Sequence, residues 1–148
     1  MTLYQRIFGT GPRGLLISLI LLFACIQLEP TIGLPPIHHS AKLGTISLVL
    51  AGLLTLALVI WSVKSLSPQD RGKILVTRGA FRYFRHPLYA AFLLFFNFGL
   101  AIYLNNYVFL IWALLQHPIW HINVMKEEKM VEKLFGDDYT KYCEKTGR

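Results

Sequence analysis

Four stretches of the chain carry no charge: "GLLISLILLFACIQL" (14–28), "LGTISLVLAGLLTLALVIWSV" (43–63), "LYAAFLLFFNFGLAIYL" (88–104) and "YVFLIWALLQHPIWHINVM" (107–125). A helix rises 1.5 Å per residue, so crossing a hydrocarbon core of ~30 Å takes about 20 residues. The second stretch has 21 uncharged residues and qualifies alone. The first and third are short and must borrow flanking positions. The pattern predicts an all-α, polytopic membrane fold with four transmembrane helices at about 13–29, 43–63, 87–104 and 107–125. Only Asn105 and Asn106 separate the third and fourth, which implies a tight antiparallel hairpin.

The polar segments between the runs sort by charge. With both termini on one side, that side receives Arg6, Arg13, six basic residues from Lys64 to Arg85 and six from Lys126 to Arg148. Only Lys42 remains opposite, and the positive-inside rule then puts both termini and the 64–87 loop in the cytoplasm. The net charge of +7 is accounted for by topology and attraction to anionic lipid, so it calls for no nucleic-acid partner. At 54% hydrophobic the chain exceeds the 45–50% usual for soluble domains. It has no Gly/Ser linker, low-complexity tract or fixed repeat, so 1–148 reads as a single domain. Arg6, Arg13 and "LFAC" (22–25) faintly suit a cleaved leader. Phe23 is bulky for that role and the next loop leads straight to another span, so the first span is expected to be retained. Cys25 in the first span and Cys143 in the tail are not expected to pair.

In the outer loop, 29–42, His38 and His39 are adjacent and their side chains diverge. A metal site wants spaced ligands, and none is expected. The inner loop interleaves basic residues with Ile74, Leu75, Val76, Phe81, Tyr83 and Phe84, with a turn at Gly79 and Pro87 suited to the first turn of the third span. Taken alone, this loop is an interfacial anchor or one wall of a site. In the tail, Met125, Met130, Val131, Leu134 and Phe135 approximate one helical face, with Lys126, Glu132 and Lys133 solvated. Gly136 should stop this helix and Asp137 cap a restart at "DDYTKY". Glu127 and Glu128 cannot both face outward, so one should meet the arginines of "RYFRHP". His117 and His121, four apart, share a helical face although Pro118 disturbs the turn. Tunnel lining, hydrogen-bonded packing and haem or metal ligation remain open for them. Asn97 is a partner for either histidine or interhelical glue.

The ordered set "TRGAFRYFRHPLY" (77–89), a helical hairpin, "EE" (127–128) and "LFGDDYTKY" (134–142) resembles the isoprenylcysteine carboxyl methyltransferase family and its relatives, the phospholipid methyltransferases. Each piece is common, but their order and spacing over 77–142 are specific. The resemblance implies an integral membrane enzyme that uses S-adenosylmethionine without a Rossmann domain. Its pocket would lie at the cytoplasmic face, between the last two helices and the C-terminal segment. It further implies that Arg85 holds an anionic acceptor near the reacting groups, with Glu128 as its catalytic companion. His86, Pro87 and Tyr89 would line the cofactor side, and Glu127, Tyr139 and Tyr142 would close it from the tail. Separately from the resemblance, Asn97, His117 and His121 are the residues expected to line a substrate tunnel. The family's tail usually continues into a basic, proline-containing stretch, whereas this sequence runs six residues past Tyr142, so a less complete lid is expected. The expected partners are membrane lipids and a lipid-soluble methyl acceptor, foremost a prenyl-thiol carboxylate. A phospholipid amine, or an inactive member serving as a structural partner, is the alternative. A carboxylate is already ionised near pH 7, whereas an amine must first lose a proton to a Glu or His86. A small transporter would favour an intramembrane acid, absent from spans two to four, and a haem bundle would need His paired across helices.

Overall fold

All four apolar stretches are helical in the computed structural model, which describes residues 11–67 and 73–147. Helix α1 covers Gly11–Ile32, α2 Ala41–Ser65, α3 Pro87–Leu104 and α4 Tyr107–Phe135. Each is long and apolar enough to cross a membrane. A short α5, Asp137–Lys145, follows. Among the described residues there is no strand, only one parallel bridge between Phe84 and Gly147. Arg6, Arg71 and Arg148, three of the charges used to orient the bundle, lie outside the described residues.

The first helix borrows residues at both ends, running through Pro30 and past Glu29. Proline so near a C-terminus removes a single helical hydrogen bond. Here the Thr31 hydroxyl donates to the Leu28 carbonyl at 2.7 Å, and Gly33 ends the helix at φ +65°. The third helix starts as the sequence suggests, with Pro87 in its first turn, where a missing N–H costs nothing. One turn later it widens into a π-helical segment over Ala91–Phe96. The Thr55 hydroxyl from α2 donates to the Ala91 carbonyl at 3.2 Å, a cross-helix bond at the point where the regular ladder changes. Gly99 then lets α3 approach α2 so closely that a methyl there would overlap Ala51.

The α3–α4 hairpin turns on its two asparagines. Asn105 takes the left-handed conformation (φ +58°), and the Asn106 side chain caps α4 by accepting from the Val108 N–H at 3.0 Å. The outer loop latches onto this turn. His38 donates its backbone N–H to Asn105 Oδ1 at 2.9 Å, and its Nε2 lies 2.9 Å from the Ile102 carbonyl. Asn106 Nδ2 donates to Glu29 at 2.8 Å. His38 therefore serves the hairpin.

Helix α1 rests on α4, while α2 packs along α3 and α3 along α4. The α1–α4 seam is small and polar at its centre. Gly14 sits against the Trp120 ring, and the Ser18 hydroxyl meets Gln116 Oε1 at 2.5 Å and accepts from Trp120 Nε1 at 3.0 Å. Trp112 Nε1 donates to the Ser18 carbonyl at 3.1 Å, and Gln116 is fully buried. Helix α4 continues through Pro118 and stops at Gly136 (φ +52°). Asp137 does not cap the restart. Gly136 holds the cap position and Asp137 is already helical, so its carboxylate and that of Asp138 sit in the first turn, where they favour the positive end of the dipole.

Candidate active site

Between α2 and α3 the chain reverses at Gly79, φ +62°, and makes one 3₁₀ turn, Gly79–Arg82. The Ser65 hydroxyl pins this turn by accepting from the Ala80 N–H at 3.2 Å. The chain then extends, and Arg85 N–H donates to the Gly147 carbonyl at 2.9 Å, which ties the segment to the end of the tail. Tyr142 of α5 donates its hydroxyl to the Phe81 carbonyl at 2.5 Å. These ties aim Arg85, His86 and Tyr89 at the carboxylates of α4.

Adjacent residues on a helix diverge by about 100°. Glu127 and Glu128 accordingly take different partners. Glu128, 7% exposed, accepts from Arg85 Nη1 at 3.1 Å, and the same nitrogen lies 3.3 Å from Cys143 Sγ. Glu127 accepts from the Tyr89 hydroxyl at 2.9 Å. His86 bridges the two, with Nδ1 3.6 Å from Glu127 and Nε2 3.5 Å from Glu128. Its ring stacks on Tyr89 at 5.5 Å between centroids, and Tyr89 in turn meets Trp120 at 4.7 Å. Arg85 Nε is buried without a hydrogen-bond partner among the described residues. Burial, reinforced by Cys143, pushes the Tyr142 phenol up to about 12. Tyr139 is raised too, mainly by burial, then by Cys143 and Glu128. Both phenols therefore stay protonated at neutral pH.

The cluster lies beside a cavity of about 770 Å³ that extends from the loop end of the bundle deep between α1, α3 and α4. Arg85, His86, Pro87, Tyr89, Glu127, Tyr139 and Tyr142 all line it. Glu128 does not. It stands behind Arg85 and holds it. Met130, Val131, Leu134 and Phe135 line the cavity as one face, but Met125 is exposed and turns away from it.

The three residues expected in a tunnel are divided. Asn97 lines the large cavity, whereas His117 and His121 line a separate groove of about 140 Å³ between α3 and α4. The structure makes Asn97 a partner of neither histidine. His117 meets the Phe98 ring at 6.0 Å and does not line the large cavity. Phe98 is one residue on from Asn97, a step that turns its side chain by about 100° around α3. Among the described residues no group of three or more His, Cys, Asp or Glu is arranged to hold a metal ion.

The model of the phospholipid methyltransferase family matches residues 42–138. The chain belongs to this family. The match runs from α2 to the start of α5, so it contains Arg85, His86, Glu127 and Glu128 but neither α1 nor Tyr139 and Tyr142. Searches of curated proteins and of solved structures returned no match. Reading the sequence missed Cys143, Gly147 and the Phe81 carbonyl as site contacts. Cys143 had a signal, since it lies four residues beyond Tyr139 on the same face of α5. The backbone contacts of Phe81 and Gly147 had none, because any residue type supplies a carbonyl.

Proposed function

We propose that this protein transfers a methyl group from S-adenosylmethionine to a lipophilic acceptor embedded in the membrane, with the cluster end of the bundle in the cytoplasm. One observation carries the reading: a partly buried array of one Arg, one His and one Glu lines an otherwise largely apolar cavity, with buried Glu128 behind it. The residues fit the cofactor. Arg85 has an unpartnered Nε for a carboxylate, Glu127 suits an ammonium or ribose hydroxyls, and Tyr139 and Tyr142 suit the flat adenine. With His86 neutral the four charged or chargeable groups sum to −1, the complement of a cofactor with net charge +1.

When bound, S-adenosylmethionine supplies a carbon already activated by the sulfonium, so no side chain needs to carry the methyl group. The protein's share is positioning and exclusion of water. Helix α5, held by Tyr142 and by the Gly147 bridge, covers the cluster. Glu128 keeps Arg85 in one orientation. Glu127 and His86 are the groups that can take a proton at the cavity wall.

That arrangement favours an amine acceptor, such as the head group of phosphatidylethanolamine, over the prenyl-thiol carboxylate. Arg85 already pairs with Glu128, and a neutral amine leaves the cluster with its cofactor electrically balanced. The carboxylate reading keeps one supporting observation, the free Arg85 Nε. The test uses purified protein in nanodiscs, methyl-labelled S-adenosylmethionine, and either phosphatidylethanolamine or a prenylated cysteine. Base-stable label in the lipid supports the amine; label released by alkali as methanol supports the ester. Label in neither, with no cofactor binding by calorimetry, refutes the enzymatic reading.

A further inference from the structure

Outside the charged cluster, where Arg85 Nε and His86 Nε2 make no hydrogen bond, the polar side chains on the wall of the large cavity are partnered among the described residues except one. Ser18 is spent on Gln116 and Trp120, the indoles of Trp112 and Trp120 are spent on Ser18, and Tyr89 is spent on Glu127. Asn97 is 8% exposed and lines the cavity, yet its amide makes no hydrogen bond among the described residues. An amide held in an apolar, membrane-embedded cavity is costly unless something there completes it. A Leu or Ala would fill the same helical position without that cost, so the amide calls for a ligand atom.

Asn97 lies eight residues beyond Tyr89 on α3, about 12 Å deeper along the axis. Its neighbours on the cavity wall at that depth are Phe96, Leu100, Leu22 and Trp112, with no ionisable group among them. A charged ligand group would be stranded there. A neutral acceptor or donor of hydrogen bonds would not.

We propose that Asn97 determines specificity by donating a hydrogen bond to an ester carbonyl in the tail of the methyl acceptor. The inference rests on the proposed function for the identity of the cavity as the acceptor's path. It separates acyl lipids, whose carbonyls lie about this far from the head-group nitrogen when extended, from acceptors whose tails are hydrocarbon throughout.

Diester and diether phosphatidylethanolamine differ only in those carbonyls, and native mass spectrometry of the detergent-solubilised protein reads their retention whether or not methyl transfer occurs. The wild type is expected to retain the diester about fivefold better than the diether, the worth of one hydrogen bond. Asn97→Leu should retain the two equally, with cofactor affinity unchanged. Equal retention by the wild type, or the same preference in Asn97→Leu, overturns the role of Asn97. A preference that Asn97→Leu abolishes, in a protein that methylates neither lipid, upholds the subsite and overturns the proposed enzymatic function instead.

Discussion

Removing Glu128 is the sharpest test of how the site is held together. The Arg85–Glu128 contact is 3.1 Å long, between side chains only 15% and 9% exposed. At that distance and an effective dielectric near 20, the Coulomb attraction is about 5 kcal/mol, much of it offset by desolvation. Deleting one partner of such a pair leaves the other charge buried, a loss of about 3 kcal/mol. For Arg85 the remaining neighbour on that nitrogen is Cys143 Sγ, a weak acceptor. Glu128→Ala and Arg85→Ala should therefore each destabilise the cofactor-free protein by about 3 kcal/mol. The double variant should lose about 2 kcal/mol less than the sum of the two single losses, the coupling between the partners. Circular dichroism through an SDS titration in dodecyl maltoside micelles measures all four corners of the cycle. Losses that add to within about 0.5 kcal/mol would refute the claim that Glu128 acts by holding Arg85.

Other expectations follow from the packing. Gly99→Val forces a side chain into Ala51, so it should cost about 1–3 kcal/mol in the same unfolding assay, with partial rescue by Ala51→Gly. Ser18→Ala strips partners from Trp120 Nε1 and Gln116 Oε1 inside the α1–α4 seam, a loss of about 2 kcal/mol. Tyr142→Phe removes the bond to the Phe81 carbonyl, and hydrogen exchange over residues 137–145 should quicken about fivefold, the equivalent of ~1 kcal/mol. Raising pH should loosen the same contact. An unfolded tyrosine ionises near 10 and folded Tyr142 near 12, so its contribution to stability is complete below pH ~10 and lost as pH rises through about 12. Absorbance at 295 nm should show Tyr139 and Tyr142 ionising last, and together with the detachment of α5.

Apolar run length and turn chemistry are local properties, and the chain alone determined what depends on them. The four helices, the start of α3 at Pro87, the Asn105–Asn106 hairpin, the turn at Gly79, the stop at Gly136, and the meeting of one adjacent carboxylate with the loop arginines were all legible. So was family membership, because it rests on the order of short motifs. Tertiary structure alone decided which way each side chain turned. Glu127 and Glu128, or Asn97 and Phe98, are neighbours in sequence, yet each pair is split between different surroundings by a helical step of about 100°. Long-range closure was equally invisible. The Gly147 and Phe81 carbonyls reach the site through backbone atoms common to every residue, and Ser18 finds Gln116 only once α1 lies on α4.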